Sequence, residues 1–181
     1  MAKLVSKTYG DALFELALEQ NAVEELSEEV QAVSEVLKEN EELMKLLEHP
    51  KIVKEEKLQI VESIFKGRIS DNLTGFLLLV VSKDRYGDIY DILDVFMDRV
   101  REYKHIGVAS VTTAVELKEE QKKAVEDRLL ATTKYQSFEM KYAVDAGLIG
   151  GMVIRIGDRV VDSSIKHKLE LMSRDLMKIQ L

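Results

Sequence analysis

The spacing of apolar residues changes once along this chain, and that change limits its fold more than any other feature. Up to His105 apolar positions recur every three or four residues, as on helix faces; from Ile106 the period is two. A helix-spaced pattern cannot be laid down as a strand without turning polar groups into the core. The sequence therefore predicts an α+β chain, mostly α: a six-helix bundle over 1–105 and a small strand-helix-strand-strand-helix domain over 106–181. No proline or Gly/Ser-rich spacer marks the junction, so the sixth helix should run almost directly into the first strand.

In the helical half, Tyr9, Ala12, Leu13, Leu16 and Ala17 form one face, and Phe14 with Leu18 begins a second. That is more apolar surface than one packing contact uses, and both a central place in a bundle and a partner-binding groove would account for it. Val23, Leu26, Val30, Val33 and Leu37 mark an amphipathic helix with an acidic outer side. Asn40 is expected to cap a short third helix through Leu43, Met44 and Leu47, which His49-Pro50 ends. Leu58, Val61, Ile64 and Phe65 define a fourth, stopped at Gly67. Ser70 or Asp71 can cap the fifth, whose Phe76-Leu-Leu-Leu-Val-Val81 run is apolar all round and must be enclosed by neighbours or by another protein. The sixth carries Ile89, Ile92, Leu93, Phe96, Val100 and Tyr103.

Beyond His105, Gly107 to Val115 reads as a strand and Lys118 to Thr132 as a helix. Phe138, Met140, Tyr142 and Val144 then alternate with polar or small residues as in a half-buried strand. A glycine-dense segment follows: Gly150-Gly151 leads into Met152 to Ile156, Gly157-Asp158 can turn the chain, and Arg159-Val-Val161 extends or returns it. Ser163 or Ser164 is placed to cap a last helix with Ile165, Leu169, Met172 and Leu176 on one side.

Clustered glycines either let backbone approach a phosphate or allow a tight turn beside a strand. Here they precede a strand, no Gly-Lys-Ser/Thr occurs, and no Gly-x-Gly-x-x-Gly follows a strand, so the structural turn is preferred, the pair letting one strand pass close to another. Cysteine is absent, which removes disulfides and thiolate chemistry. His49, His105 and His167 are far apart in sequence and form no ligand motif. A net charge of −7 opposes nucleic acid or anionic lipid as a primary partner. No stretch nears the ~20 apolar residues that span a bilayer, and the start lacks signal-peptide character, so the chain is expected to stay where it is made. No constellation asks to be a catalytic, cofactor or metal site.

Asp145-x-x-Leu-Ile-Gly-Gly-Met-Val-Ile-Arg-Ile-Gly157, with Val160-Val-Asp162-x-Ser164 and Lys168-Leu-Glu, resembles the C-terminal signature of the delta subunit of F-type ATP synthase, the oligomycin-sensitivity-conferring protein family. Tyr9-Gly-Asp-Ala-Leu-Phe-Glu-Leu-Ala17 resembles that family's first helix, and Ser82-Lys-Asp-Arg-Tyr with Ile-x-x-Ile-Leu-x-x-Phe96 its fifth-to-sixth helix junction. The resemblance implies a non-catalytic stator subunit, one copy per complex, without cofactor, that holds the catalytic head against the rotor. It implies that the first domain grips the N-terminal helix of an alpha subunit in a groove matching Tyr9, Ala12 and Leu13 on one side and Phe76, Leu77 and Val80 on the other. It implies that the second domain receives peripheral-stalk b subunits, with Gly150, Gly151, Val153, Arg155 and Gly157 in the signature turn and strand. Ile165, Leu169, Met172 and Leu176, like Met152 to Ile156, then suit either docking or the small domain's core, with core preferred. The implied setting is the cytoplasmic face of the cell membrane, peripheral, and the lack of a transit-like start favours a bacterial over an organellar one. Two other classes remain: a free-standing helical adaptor or regulatory module binding one amphipathic helix, and an enzyme or nucleotide sensor using the glycine segment.

Overall fold

The computed structural model describes residues 2–179, and the side chains of 4–40 and 42–178. The chain divides into two compact units, Met1–Val100 and Arg101–Leu181. In the first, α1 (Ala2–Glu19), α2 (Val23–Glu39), α3 (Glu41–Glu48), α4 (Lys54–Phe65), α5 (Asp71–Ser82) and α6 (Ile89–Tyr103) follow one another, with a 3-10 turn at Tyr86–Asp88 before α6. All six contribute buried side chains to a single apolar cluster that runs from Leu13 and Leu26 through Leu47, Phe65 and Leu73 to Phe96. The helix-spaced residues of the sequence are these buried ones, because a stripe at 3.6-residue spacing can be removed from water only by packing against other helices.

Polar joints between helices help to set their arrangement. Ser70 caps α5 by accepting from Leu73 N, while its own hydroxyl donates to Glu29 of α2 at 2.6 Å. Arg99 of α6 donates to Asp11 of α1 at 2.6 Å, and beside it Gly10 lets the two helices touch. A Cβ at Gly10 would lie 2.6 Å from Val95 Cγ1 and 3.0 Å from the Ile92 carbonyl oxygen. Asn40 does not cap α3 as expected. Its side-chain amide instead donates to Val36 O at 2.8 Å and closes α2, so one short side chain between two abutting helices serves the first.

In the second unit β1 (Ile106–Thr113), α7 (Glu119–Thr132), β2 (Ser137–Val144), β3 (Met152–Ile156), β4 (Arg159–Asp162) and α8 (Ile165–Ile179) build one sheet of order β2-β1-β3-β4. β1 and β2 are parallel, which requires the crossover that α7 provides; the other two pairs are antiparallel. The expected order counted no fourth strand, leaving open whether Arg159-Val-Val161 extends β3 or returns along it; it returns. Arg159 to Asp162 is a separate strand, paired Ile156↔Arg159 through Val153↔Asp162, because Gly157 (φ 55°) and Asp158 close a two-residue hairpin. α7 packs Val125 and Leu129 on Ala109, Phe138, Met140 and Ile154, a far smaller core than that of the first unit. β2 was expected to be half-buried throughout, but only Phe138 is buried and Met140 partly so. Tyr142 and Val144 are exposed on this edge strand, Tyr142 only just so, because its ring lies under Lys122 of α7 and its hydroxyl donates to Lys122 O at 3.4 Å.

Candidate docking surfaces

On the first unit, sequence reasoning placed a groove between α1 and α5. There Tyr9 and Phe76 meet edge to face, ring centroids 6.4 Å apart, both half-buried, and Ala12 is exposed. Leu13, Leu77 and Val80 are 1%, 2% and 1% exposed and belong to the helical core. What α5 offers outward is Phe76 and, one turn on, Leu79, which the sequence reading did not single out. The all-round apolar run is thus enclosed on one side only. Gly75, Leu78 and Leu79 with Leu58 and Glu62 of α4 also line an open, mainly apolar depression of about 410 Å³. The 75, 78/79, 82 spacing was a legible signal for that second face.

On the second unit, α8 carries no buried residue among those whose side chains are described. Ile165, Leu169, Met172 and Leu176 are 42%, 52%, 62% and 66% exposed, so the core reading of this helix does not hold. They recur at intervals of four, three and four, the a/d repeat of a seam that packs against another helix. Lys166 and Lys168 flank the first half of that seam. Met152 and Ile154 of β3 line a separate apolar groove of about 370 Å³ with Leu117, Val125 and Leu129. Val153 is partly buried and Arg155 exposed, its guanidinium donating to Gly157 O at 3.2 Å.

The glycine segment is a joint between β3 and α8. Asp145 Oδ1 accepts from Gly147 N at 2.8 Å and shapes a 3-10 turn over Ala146–Leu148. Ile149 and Gly151 then take positive φ, 66° and 77°. Ile165 N donates to Gly150 O at 2.9 Å and Ser163 N to Met152 O at 2.9 Å, tying the start of α8 to the start of β3. Of the two serines in question, Ser164 is the cap: its Oγ accepts from His167 N at 3.1 Å. Asp162 Oδ1 accepts from Ser164 N at 2.8 Å, and the Ser164 hydrogen bonds hold this carboxyl below the usual range. The pair was expected to let one strand pass another; it is instead the β4–α8 connection that passes Gly151.

Among the described residues no group of three or more His, Asp or Glu could hold a metal, and no helix is long and apolar enough to cross a membrane. What both units offer at their surfaces is apolar helix and groove. A model of the ATP synthase delta (OSCP) subunit matches residues 5–176. The chain belongs to the ATP synthase delta (OSCP) subunit family. ATP synthase subunit delta of Lachnoclostridium phytofermentans is 60% identical over the whole of both chains. That of Desulforamulus reducens is 36% identical over 96% of this chain and 95% of its own. A chain in a Toxoplasma gondii mitochondrial ATP synthase structure shares the fold, with a TM-score of 0.74 and 18% identity over 95% of this chain and 97% of that one. As a delta subunit, the protein is a stator component of F-type ATP synthase, a peripheral part of that complex.

Proposed function

We propose that this delta subunit is the joint between the catalytic head and the peripheral stalk, one copy per complex, at the cytoplasmic face of a bacterial membrane. The first unit takes the N-terminal helix of an alpha subunit along α1 and α5, where Tyr9, Ala12, Phe76 and Leu79 supply apolar anchors. The second unit takes the ends of b subunits along α8 and the α7–β3 groove. Rotor torque would turn the head with the rotor unless a static element resisted it, and that resistance needs no reacting group, only two separate interfaces of adequate area. The observation that carries this reading is the exposed four-three-four seam of α8, a surface whose burial requires a second helix.

Co-sedimentation with purified catalytic heads and, separately, with a b-subunit fragment tests it. Phe76→Asp is expected to abolish binding to heads alone and Leu169→Asp to abolish binding to the stalk fragment alone. Wild-type protein that binds neither would remove the reading.

A further inference from the structure

The β4–α8 connection holds a geometric constraint that the docking reading does not use. A Cβ at Gly151 would lie far inside van der Waals contact distance of the Ser163 carbonyl oxygen and 3.1 Å from both Ser163 C and Ser164 Cα, all of them backbone. Gly151 also has φ 77°, where an L side chain is strained. Neither conflict can be relieved by a rotamer change: the carbonyl and the cap of α8 must move, or Gly151 must. Its neighbour differs, since a Cβ at Gly150 would meet only the Ile165 side chain, its Cδ1 at 2.7 Å. Around this contact Ile165 N to Gly150 O, Ser163 N to Met152 O, and the Asp162–Ser164–His167 hydrogen bonds all converge within the first turn of α8. Ser164 at their centre is 1% exposed, the one buried residue between β4 and α8. α8 also lies against the Ala146–Leu148 turn, next to the glycine pair, and its other described residues are largely exposed, so its direction is set where it leaves the sheet.

We infer that Gly151 is a positioning residue: the backbone contact it permits with Ser163-Ser164 fixes the direction in which α8 leaves the sheet, and with it the presentation of the Ile165, Leu169, Met172, Leu176 seam. The functional weight of this inference rests on the stalk reading above. The lever is long. A tilt of about 10° at the joint displaces residue 174, about 14 Å along the axis, by about 2 Å, enough to take a knob out of its hole.

The full chain has no cysteine, so a pair can be introduced for spin labels without removing any. Arg159→Cys on β4 and Arg174→Cys on α8, both exposed, report the angle by pulsed electron-spin distance measurement in the free protein. With Gly151 intact a narrow distribution is expected. Gly151→Ala in that background should shift its centre by about 2 Å or more, or broaden it by as much, while the thermal unfolding of the first unit and binding to catalytic heads stay unchanged. Gly150→Ala should leave the distribution in place. Gly151→Asn separates the two causes, because asparagine tolerates positive φ but keeps the Cβ; it should behave like alanine. A broad distribution with Gly151 intact, or one that Gly151→Ala leaves unchanged, overturns the inference. Binding of the b-subunit fragment is read on the same proteins, with a loss of roughly tenfold expected for Gly151→Ala. If the distances shift while no protein, Gly151 intact or not, binds the fragment, the stalk reading fails and the positioning role stands. If Gly151→Ala binds the fragment as tightly as the intact protein does despite shifted distances, Gly151 does not govern presentation of the seam, and the inference fails.

Discussion

At the scale of single residues, the polar contacts that matter join elements far apart in the chain. Asp11 and Arg99 link α1 to α6, and the Arg99 hydrogen bond, reinforced by its charge, holds the Asp11 carboxyl below its ordinary value of 3.8. A depressed folded-state pKa means that the ionised carboxylate is the form the fold favours. Its contribution is fully present above the unfolded value and is lost as the pH falls through the folded one. Asp11→Asn should therefore lower stability at neutral pH, and the difference from wild type should shrink as the pH is brought below ~4. Urea unfolding at pH values on either side of that point checks this; a difference that does not change with pH would show that the ion pair is not its source. Both side chains are about one-third exposed, so solvent screening keeps the effect modest. Buried Lys57 is accommodated differently: its Nζ sits 4.6 Å over the Tyr86 ring, exchanging part of its hydration for the aromatic face.

At the scale of elements, α6 and α8 have similar amphipathic sequences and opposite fates. Phe96 and Ile92 of α6 lie in the centre of the helical core, while the seam of α8 faces solvent. Removing apolar bulk from the two helices should therefore have different consequences. Phe96→Ala should cost about 3–5 kcal/mol through the transfer and cavity terms. Leu176→Asp should change stability by less than about 0.5 kcal/mol, because Leu176 is largely exposed. Chemical denaturation of both variants measures the contrast. A large loss for Leu176→Asp would mean that α8 packs on this chain in solution.

At the scale of the whole molecule, two cores of unequal size imply two levels of stability. The first unit buries a continuous cluster drawn from six helices; the second relies on one helix laid over part of a four-stranded sheet. Opening free energies follow buried apolar area and the depth of hydrogen-bonded backbone. In the free protein amide exchange should be slowest in α2, α5 and α6, intermediate in β1, and fastest in β4 and α8. Residue-resolved hydrogen exchange reads this order, and protection of α8 equal to that of α6 would contradict it. Stalk binding should raise protection in α8 selectively, since a ligand stabilises what it covers.

The sequence by itself determined the periodic elements and where their kind changes. Helices with buried 3.6-residue stripes, a cap at Ser70 or Asp71 and another at Ser163 or Ser164, the His49-Pro50 break and the period switch at Ile106 were all legible, because each is a local consequence of backbone geometry; which residue of each pair caps was not. Only the tertiary structure decided which apolar faces would be covered. Leu13 and Leu169 look alike in sequence, yet Leu13 is buried at the centre of a bundle and Leu169 faces water on a helix at the edge of the fold. It also decided that Arg159 to Asp162 would be a strand of its own, that Asn40 would serve α2 rather than α3, and that Gly151 would face the backbone of Ser163. These depend on which segments meet in space, and residue spacing along a chain carries no record of that.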